Sequence, residues 1–339
     1  MKPVATFISL ALCCAVNAQD PVEHLKQASG LQRIDPARLL TGDFISERGA
    51  LGDFPNGISA QFCFATSLSP AETARRLQVW DPTPYPALEV YQFHSLTNPC
   101  RPEDFRQLEF KANLRPMRWL QDKLATTTGT KSDLNLTGAE AKQLADCIQK
   151  RNDPRVVADC FIKMLVERAS LFQKKGLAGA LPYELSGNPV SPAIQLRMMV
   201  REQSSVATEF APLLKKIGLH GNTADLALQP FHYWSLFQAD RHATLNLGAV
   251  YLLQDGERYL LADVEYYVSS GYYTSITLTE IVPFRNGDKT GSLCWRVDYL
   301  AAPMLQFTKG TDRLAFGALM VQDIKKSIRC FLDEVKPKR

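Results

Sequence analysis

The chain has 339 residues, of which 45% are hydrophobic and 22% are charged, and its formal net charge is +4 at pH 7. This composition is typical of a globular protein with a substantial core and excludes an intrinsically disordered chain. The basic residues are scattered along the sequence and do not form one stripe, which argues against nucleic acid as the partner.

The N-terminal segment, residues 1–18, predicts a cleavable secretory signal peptide. Lys2 supplies a positive start, residues 4–16 form a short apolar core, and Val16 and Ala18 are small residues before the expected cleavage point. The core is shorter than the roughly 20 apolar residues that span a bilayer. We therefore expect a periplasmic or secreted protein with no integral membrane segment after cleavage.

Export bears directly on the cysteines. The chain has eight, and loss of Cys13 and Cys14 with the signal would leave an even number, which in an exported protein indicates disulfides. Buried free thiols are the alternative, because Cys also packs as a small hydrophobe. No C-x-x-C pair occurs among the rest, so the sequence predicts no metal site of that type, and it predicts no cofactor.

The first part of the mature chain predicts two clear elements. Residues 19–56 stay unassigned, apart from a short helix near Val22 to Ala28. A strand is predicted over residues 58–66, where apolar and polar side chains alternate. Ser69, Pro70 and Glu72 then form a capping box with Pro at the first helical position, which predicts a helix to about Trp80. Residues 88–94 and 105–110 predict further short strands.

The segment from residue 111 to residue 224 predicts an all-helical block, because its hydrophobic period changes to about 3.6. Its clearest part is a helical hairpin, with one helix after the capping box Thr137 to Glu140 and another starting at Pro154. Cys147 and Cys160 both lie on inward faces near the turn. They are the predicted disulfide, although other pairings stay open.

Strands return after residue 229. The segments 243–253, 258–268, 272–283 and 292–300 are rich in Val, Ile, Tyr and Thr and are separated by turn signals. Their short connections predict an antiparallel meander. The last element, from residue 312 to about residue 335, has one apolar stripe and predicts a long amphipathic helix.

Two stretches carry a resemblance to a known fold. They are I-S-A-Q-F-C-F-A-T-S-L-S-P-A-E-T near the front and C-W-R-V-D-Y-L-A-A-P before the last helix. With the order of elements, they resemble the START and plant pathogenesis-related allergen superfamily, the helix-grip fold. The resemblance implies an α+β domain of residues 57–110 and 225–336, interrupted by a helical insertion, residues 111–224, that departs from the usual pattern. The implied fold class is a curved antiparallel sheet gripping a long C-terminal helix, with an inserted all-helical block.

The resemblance also implies a cavity between sheet and helix for a lipid or other hydrophobic small molecule. Strand alternation then indicates which side chains would line it, and aromatic residues with polar ends suit such a ligand. The alternative is that these residues are simply core. Glu280 stands out, because an ionised carboxylate on an inward face needs a partner. The predicted ligand-binding residues are Tyr266, Tyr272, Ile276, Leu278, Glu280, Trp295, Val297 and Tyr299.

The remaining cysteines are interpreted through the same resemblance. The first and last strands are neighbours in a helix-grip sheet, and Cys63 and Cys294 both fall on their outward faces, so a bridge between them is expected. Cys100 and Cys330 would then be left, with Cys330 opposite the buried stripe of the last helix.

The sequence contains no strong catalytic motif. Asp263 and Glu265 share a strand face and could act as acid and base, but the hydroxyl residues opposite them favour a solvated outer surface. Arg296 and Asp298 are interpreted as a surface pair.

Three hypotheses about function follow. An exported carrier of a hydrophobic small molecule is favoured. The alternatives are a secreted enzyme that uses Glu280 in the same cavity, and a surface-interaction protein that acts through the helical block.

Overall fold

The computed structural model describes residues 20–31, 33–48, 54, 56–109, 114–129, 132–150, 154–185, 188–221, 224–239 and 241–336. The predicted signal peptide, residues 1–18, lies outside these ranges. Within them, no helix combines the length and the apolar character needed to cross a membrane.

The N-terminal elements follow from local capping signals. The carboxylate of Asp20 accepts a hydrogen bond from the Val22 backbone N at 3.0 Å and begins the first helix, which ends at Gly30 in the left-handed conformation with φ 76°. This helix confirms the one predicted near residues 22–28. The Ser69 hydroxyl caps a later helix by accepting from the Glu72 backbone N. In chain order the elements are α1 (Pro21–Ser29), α2 (Pro36–Leu39), β1 (Phe44–Arg48), β2 (Gly57–Thr66), α3 (Pro70–Gln78) and β3 (Val90–Ser95).

The helical block occupies the connection between β3 and the later strands. It also contains a short two-stranded hairpin among its helices, which the hydrophobic pattern did not predict. Its elements are α4 (Arg115–Ala125), α5 (Gly138–Lys150), α6 (Pro154–Lys175), β4 (Tyr183–Leu185), β5 (Asn188–Val190), α7 (Pro192–Arg201), α8 (Ser204–Glu209) and α9 (Ala211–Lys216).

The C-terminal part is a meander followed by a long helix. The four predicted strands are present, and an additional strand precedes them. These elements are β6 (Phe231–Ala239), β7 (His242–Asp255), β8 (Arg258–Val268), β9 (Thr274–Asn286), β10 (Lys289–Ala301) and α10 (Gly310–Val335).

The described residues form one eight-stranded antiparallel sheet with the strand order β1-β2-β10-β9-β8-β7-β6-β3. Strand β2 pairs with β10 over its whole length, from Gly57 opposite Ala301 to Thr66 opposite Ser292. The sheet is open, with β1 and β3 at its edges. This α+β architecture, with a large antiparallel sheet and a C-terminal helix, is compatible with a helix-grip fold.

Each side of the sheet is covered by a different layer. The block face, as we call it, packs against the helical block in the main core, where Trp295, Phe161 and Phe210 are fully buried. The helix face packs against α3 and α10; there Phe62 and Phe64 contact a cluster that includes Ile328, Phe331 and Leu332 of α10. Because both faces are covered, apolar character alone does not show which face meets the C-terminal helix.

The sheet curves around α10. This helix contacts β1 and β2 at one edge of the sheet and Pro86–Leu88, just before β3, near the other edge. Glu334 of α10 accepts hydrogen bonds from the Trp80 indole and the Tyr85 hydroxyl, each at 2.9 Å. The curved sheet and these contacts give the helix-gripping arrangement that was predicted.

The cysteines confirm one expectation and contradict two. Cys147 and Cys160 form a disulfide between α5 and α6. Cys63, Cys100, Cys294 and Cys330, which lie in the described part of the chain, are free thiols. Cys63 belongs to the block-face core, whereas Cys294 packs on the helix face with Phe62 and Phe64. The expected bridge between them is therefore wrong, because neighbouring strands place these two side chains on opposite sides of the sheet. A bridge between Cys100 and Cys330 is also absent.

Residues 102–105 form a turn of 3-10 helix, and no strand is found over the described part of 105–110. The Asp104 carboxylate ties this turn by accepting from the backbone N atoms of Thr97 and Arg101, at 3.1 and 3.0 Å. Phe105 is fully buried and stacks against Trp234. The apolar residue that suggested a strand is thus an anchor for a turn.

Candidate functional site

Most of the predicted ligand-binding residues lie on the block face. Ile276, Leu278, Trp295 and Val297 are completely buried there. The side chains expected beneath the C-terminal helix thus lie on the other side of the sheet. Their contact with a ligand stays a prediction, but the layer that covers them is the helical block.

Tyr266 and Tyr299 lie in the same block-face core. Tyr266 stacks on Phe172 of α6 with ring centroids 3.7 Å apart. Within the described part of the chain, the hydroxyl groups of Tyr266 and Tyr299 have no hydrogen-bond partner. The tyrosine hydroxyl groups that were predicted to contact a ligand are thus enclosed in the core.

A β-bulge explains why simple alternation fails near Tyr266. In the pairing of β7 with β8, Leu247 lies opposite Tyr267 and the next residue, Gly248, lies opposite Glu265, so one residue of β8 is extra. Both tyrosines therefore point to the block face, and the Arg168 guanidinium lies 4.3 Å from the Tyr267 ring centroid. Strict alternation along β8 would instead place Tyr267 on the face of Asp263 and Glu265.

Glu280 has partners on the block face. Its carboxylate accepts from Arg258 Nη1 at 3.0 Å and lies 3.4 Å from His24 Nε2. Arg258 also pairs with Glu209 of α8 and, at 2.8 Å, with Asp255. Since only 2% of the Glu280 side chain is exposed, these cations supply the compensation that a buried carboxylate needs.

His24, Glu209 and Glu280 are also close enough to be considered as metal ligands, with ligand atoms within 4.8 Å of one another. Arg258 donates to the same oxygen atoms of both glutamates. A fixed cation therefore already occupies the position that a metal ion would need. This arrangement is an ion-pair network that joins α1, α8 and the sheet.

The largest concentration of polar groups inside the fold is on the helix face. We call it the helix-face cluster. It consists of Tyr233, Asn246, Asp263, Glu265, Tyr272, Ser275, Thr277, Arg296 and Asp298. Strand register builds it: Glu265 lies opposite Ser275, and Asp263, Thr277 and Asp298 follow one another across β8, β9 and β10.

Glu265 is the most extensively bonded member of the helix-face cluster. Its carboxylate accepts hydrogen bonds from the Tyr272 hydroxyl at 2.5 Å, from the Ser275 hydroxyl at 2.6 Å and from the Asn246 side-chain amide. Asn246 in turn accepts from the backbone N and the hydroxyl of Ser235. Tyr272, predicted to bind a ligand, thus lies on the helix face.

Within the described ranges, the Asp263 carboxylate has one hydrogen-bond donor, the Tyr233 hydroxyl, at 2.9 Å. Tyr233 reaches it because its partner on β7 is Gly248, and a Cβ at that position would overlap the phenol ring. A glycine in the interior of a strand often marks such a close approach. Gly248 therefore positions the phenol against the carboxylate.

Arg296 and Asp298 form the charged pair of the cluster. The guanidinium contacts both carboxylate oxygens, with Nη2 to Oδ1 at 2.7 Å and Nε to Oδ2 at 2.8 Å, and Thr277 also donates to Oδ1 at 2.7 Å. Only 7% of the Asp298 side chain is exposed. The interpretation as a surface pair is therefore wrong.

Two carboxyl groups of the helix-face cluster, those of Asp263 and Glu265, are shifted toward the neutral form. Burial, reinforced by the nearby charge of Glu265, raises the pKa of Asp263 to about 7. Burial also raises the pKa of Glu265, although the bonds from Ser275, Tyr272 and Asn246 act in the opposite direction. Both side chains are half-buried and hydrogen-bonded to neighbours on the sheet, so the expected fully solvated surface is wrong.

Apolar side chains frame the cluster. At one end are Ile58, Val268 and Leu305, with Phe316 and Met320 of α10 packed against them. On the β6 and β7 side are Val250 and Leu261 together with the partly buried ring of Phe93. The result is a polar patch at the centre of an oily surface, an arrangement common in small-molecule sites.

The cluster retains contact with solvent. Asp263, Glu265, Ser275 and Thr277 are half-buried, and so are Phe316 and three other apolar side chains of α10, Met320, Val321 and Ile324. The helix therefore does not shield the cluster completely from solvent. The pattern D-x-E on β8, S-x-T on β9 and R-x-D on β10 was the sequence signal for this site.

Comparison of the chain with protein-family models, with curated proteins and with solved structures finds no match. Function must therefore be inferred from the residues themselves.

Proposed function

We propose that the protein binds a lipid or other hydrophobic small molecule between the helix face and α10, as the START-like resemblance implies. The observation that carries this proposal is the helix-face cluster: two carboxyl groups with raised pKa, half-buried, inside an apolar frame. A folded chain gains no stability from desolvated acids of this kind. We infer that these two carboxyl groups serve to bind a polar group of the ligand.

The chemistry of the cluster indicates how such a ligand would be oriented. Its polar group would contact Asp263 and Glu265, while its apolar body would lie against Val268, Phe316 and Met320. These contacts favour an amphipathic ligand with a hydrogen-bonding end. Apolar area of this kind contributes about 25 cal/mol for each Å² removed from water.

Native mass spectrometry tests the proposal. The folded protein should carry an extra mass that is released on denaturation and recovered in an organic extract. Thr277→Phe, which places a ring in the cluster, should lose the extra mass, whereas Thr208→Phe on the exposed side of α8 should keep it. A folded wild-type protein without bound compound, even after incubation with a lipid extract, would contradict the proposal.

A second candidate function is an enzyme that uses the same space. Its support is Asp263, because a carboxyl group with a pKa of about 7 is suited to proton transfer at neutral pH. In that case Asp263→Asn should bind the compound but not turn it over. Glu280→Gln, the variant suggested by the sequence hypothesis, should leave turnover intact, because Glu280 is paired on the block face.

A further inference from the structure

The helix α1 is attached to the rest of the fold by both apolar and ionic contacts. It packs against α8, β9 and β10, and it buries Val22 and Leu25. Its one ionic contact with the sheet is His24, whose Nε2 lies 3.4 Å from Glu280 Oε1 and 3.6 Å from Glu209 Oε1. His24 is thus the single titratable side chain of α1 that reaches this network.

The charges around His24 are unbalanced when its ring is neutral. The facing groups are Glu209 on α8, Arg258 on β8 and Glu280 on β9, and Asp255 on β7 pairs with Arg258. One guanidinium then meets several carboxylates, of which Glu280 is almost completely buried. A proton on His24 adds a second cation at this point. The attraction between α1 and the sheet therefore depends on the charge of the imidazole.

We propose that α1 is a pH-sensitive strap, held against α8 and β9 by protonated His24 and loosened when His24 loses its proton. The other charged groups of α1 are directed elsewhere or among themselves: Lys26 pairs with Glu23 at 3.5 Å. Loosening would uncover Leu25 and the block-face surface beneath it, where Glu280 lies. This inference does not depend on the proposed ligand.

The direction of the effect follows from the contacts. The hydrogen bond with Glu280, aided by the charges of Glu280 and Glu209, raises the pKa of His24 above its ordinary value of 6.5, although partial burial and Arg258 oppose this. A raised pKa in the docked state means that docking is strengthened fully below pH 6.5. This contribution is lost as the pH rises through the docked-state pKa.

Hydrogen exchange measured by mass spectrometry tests the strap. Protection factors, which are corrected for the intrinsic pH dependence of exchange, should fall for residues 21–29 between about pH 5.5 and about pH 8.5. The fall should reach about tenfold for each unit by which docking raises the pKa. Protection of β8, where Asp263 titrates in the same range, should fall equally in the wild type and in His24→Gln.

Three variants make the test specific. His24→Gln should have low protection of α1 at both pH values, and His24→Lys, which stays charged, should have high protection at both. His94→Gln, at a histidine whose ring centroid lies 4.9 Å from that of Trp234 and which is far along the chain, should behave as the wild type. Protection of α1 that is independent of pH in the wild type, or an equal fall in His24→Gln, would overturn the proposal.

Discussion

Asp263 is the residue whose charge works against folding. Its pKa is about 7 in the fold against an ordinary value of 3.8. Between these values the folded state binds the proton more tightly than the unfolded chain does, so stability falls as the pH rises through this window. A residue retained under such conditions is a candidate for function.

Asp263→Asn should therefore stabilise the protein at about pH 8 by on the order of 1–2 kcal/mol, allowing for its contact with solvent, and much less at about pH 4. The asparagine carbonyl can still accept from Tyr233, so the hydrogen bond is kept. Thermal unfolding at both pH values measures the difference. Equal effects at both would show that Asp263 is not desolvated.

Gly248 is the residue that admits the Tyr233 ring. Gly248→Ala should displace this ring, break its hydrogen bond to Asp263 and destabilise the fold by about 1–3 kcal/mol, the usual cost of overpacking. Gly129→Ala is the matched control, since its nearest contact would be an ordinary 3.9 Å. Urea unfolding measures the change in the free energy of unfolding for both variants. If Gly248→Ala is no less stable than the control, the close approach has been assigned wrongly.

Among the contacts between elements, the disulfide between α5 and α6 can be tested separately from the rest of the fold. Cys147 and Cys160 are 13 residues apart, and opening a loop of this size costs about 3 kcal/mol of stability by chain entropy. The variant carrying Cys147→Ala and Cys160→Ala should lose about this amount in denaturant unfolding. Peptide mapping without reduction should find this bridge. A bridge between Cys63 and Cys294 in the same map would contradict the sheet register.

Elements with their own local signals were predictable from the sequence. The caps of α1 and α3, the hairpin of α5 and α6, the strands β7 to β10 and the helix α10 all carry periodicity or capping residues in the chain itself. Besides the β4–β5 hairpin, two strands of the large sheet were missed. β1 lies in a segment with a mixed pattern, and in β6 the buried and half-buried residues do not alternate, so neither has period two.

The location of the site depends on which element covers each face of the sheet. That packing is not determined by the local sequence of any one strand. Alternation separated Asp263 and Glu265 from Leu260 and Val264 correctly, because that separation is a property of one strand. It could not show that the helical block would cover the apolar face. Nor could it place the bulge at Tyr266, because a bulge depends on the partner strand.

At the scale of the whole molecule, the sheet is the middle of three layers. One layer is the helical block, in which the ion pair of Glu140 with Arg168 and the disulfide join α5 to α6. The other is α3 with α10. The block side is a dense core, whereas the α10 side keeps half-buried polar groups. Under the proposed function, a ligand would bind on the α10 side, beside these half-buried polar groups.

The most direct test is a crystal structure of the protein purified without detergent or organic solvent. The proposed function predicts electron density for a bound amphipathic molecule between α10 and the central strands, with a polar atom within hydrogen-bond distance of Asp263 or Glu265. It would be contradicted if Phe316 and Met320 fill that region and the bound molecule, if there is one, lies among Tyr266, Trp295 and Tyr299 on the block face.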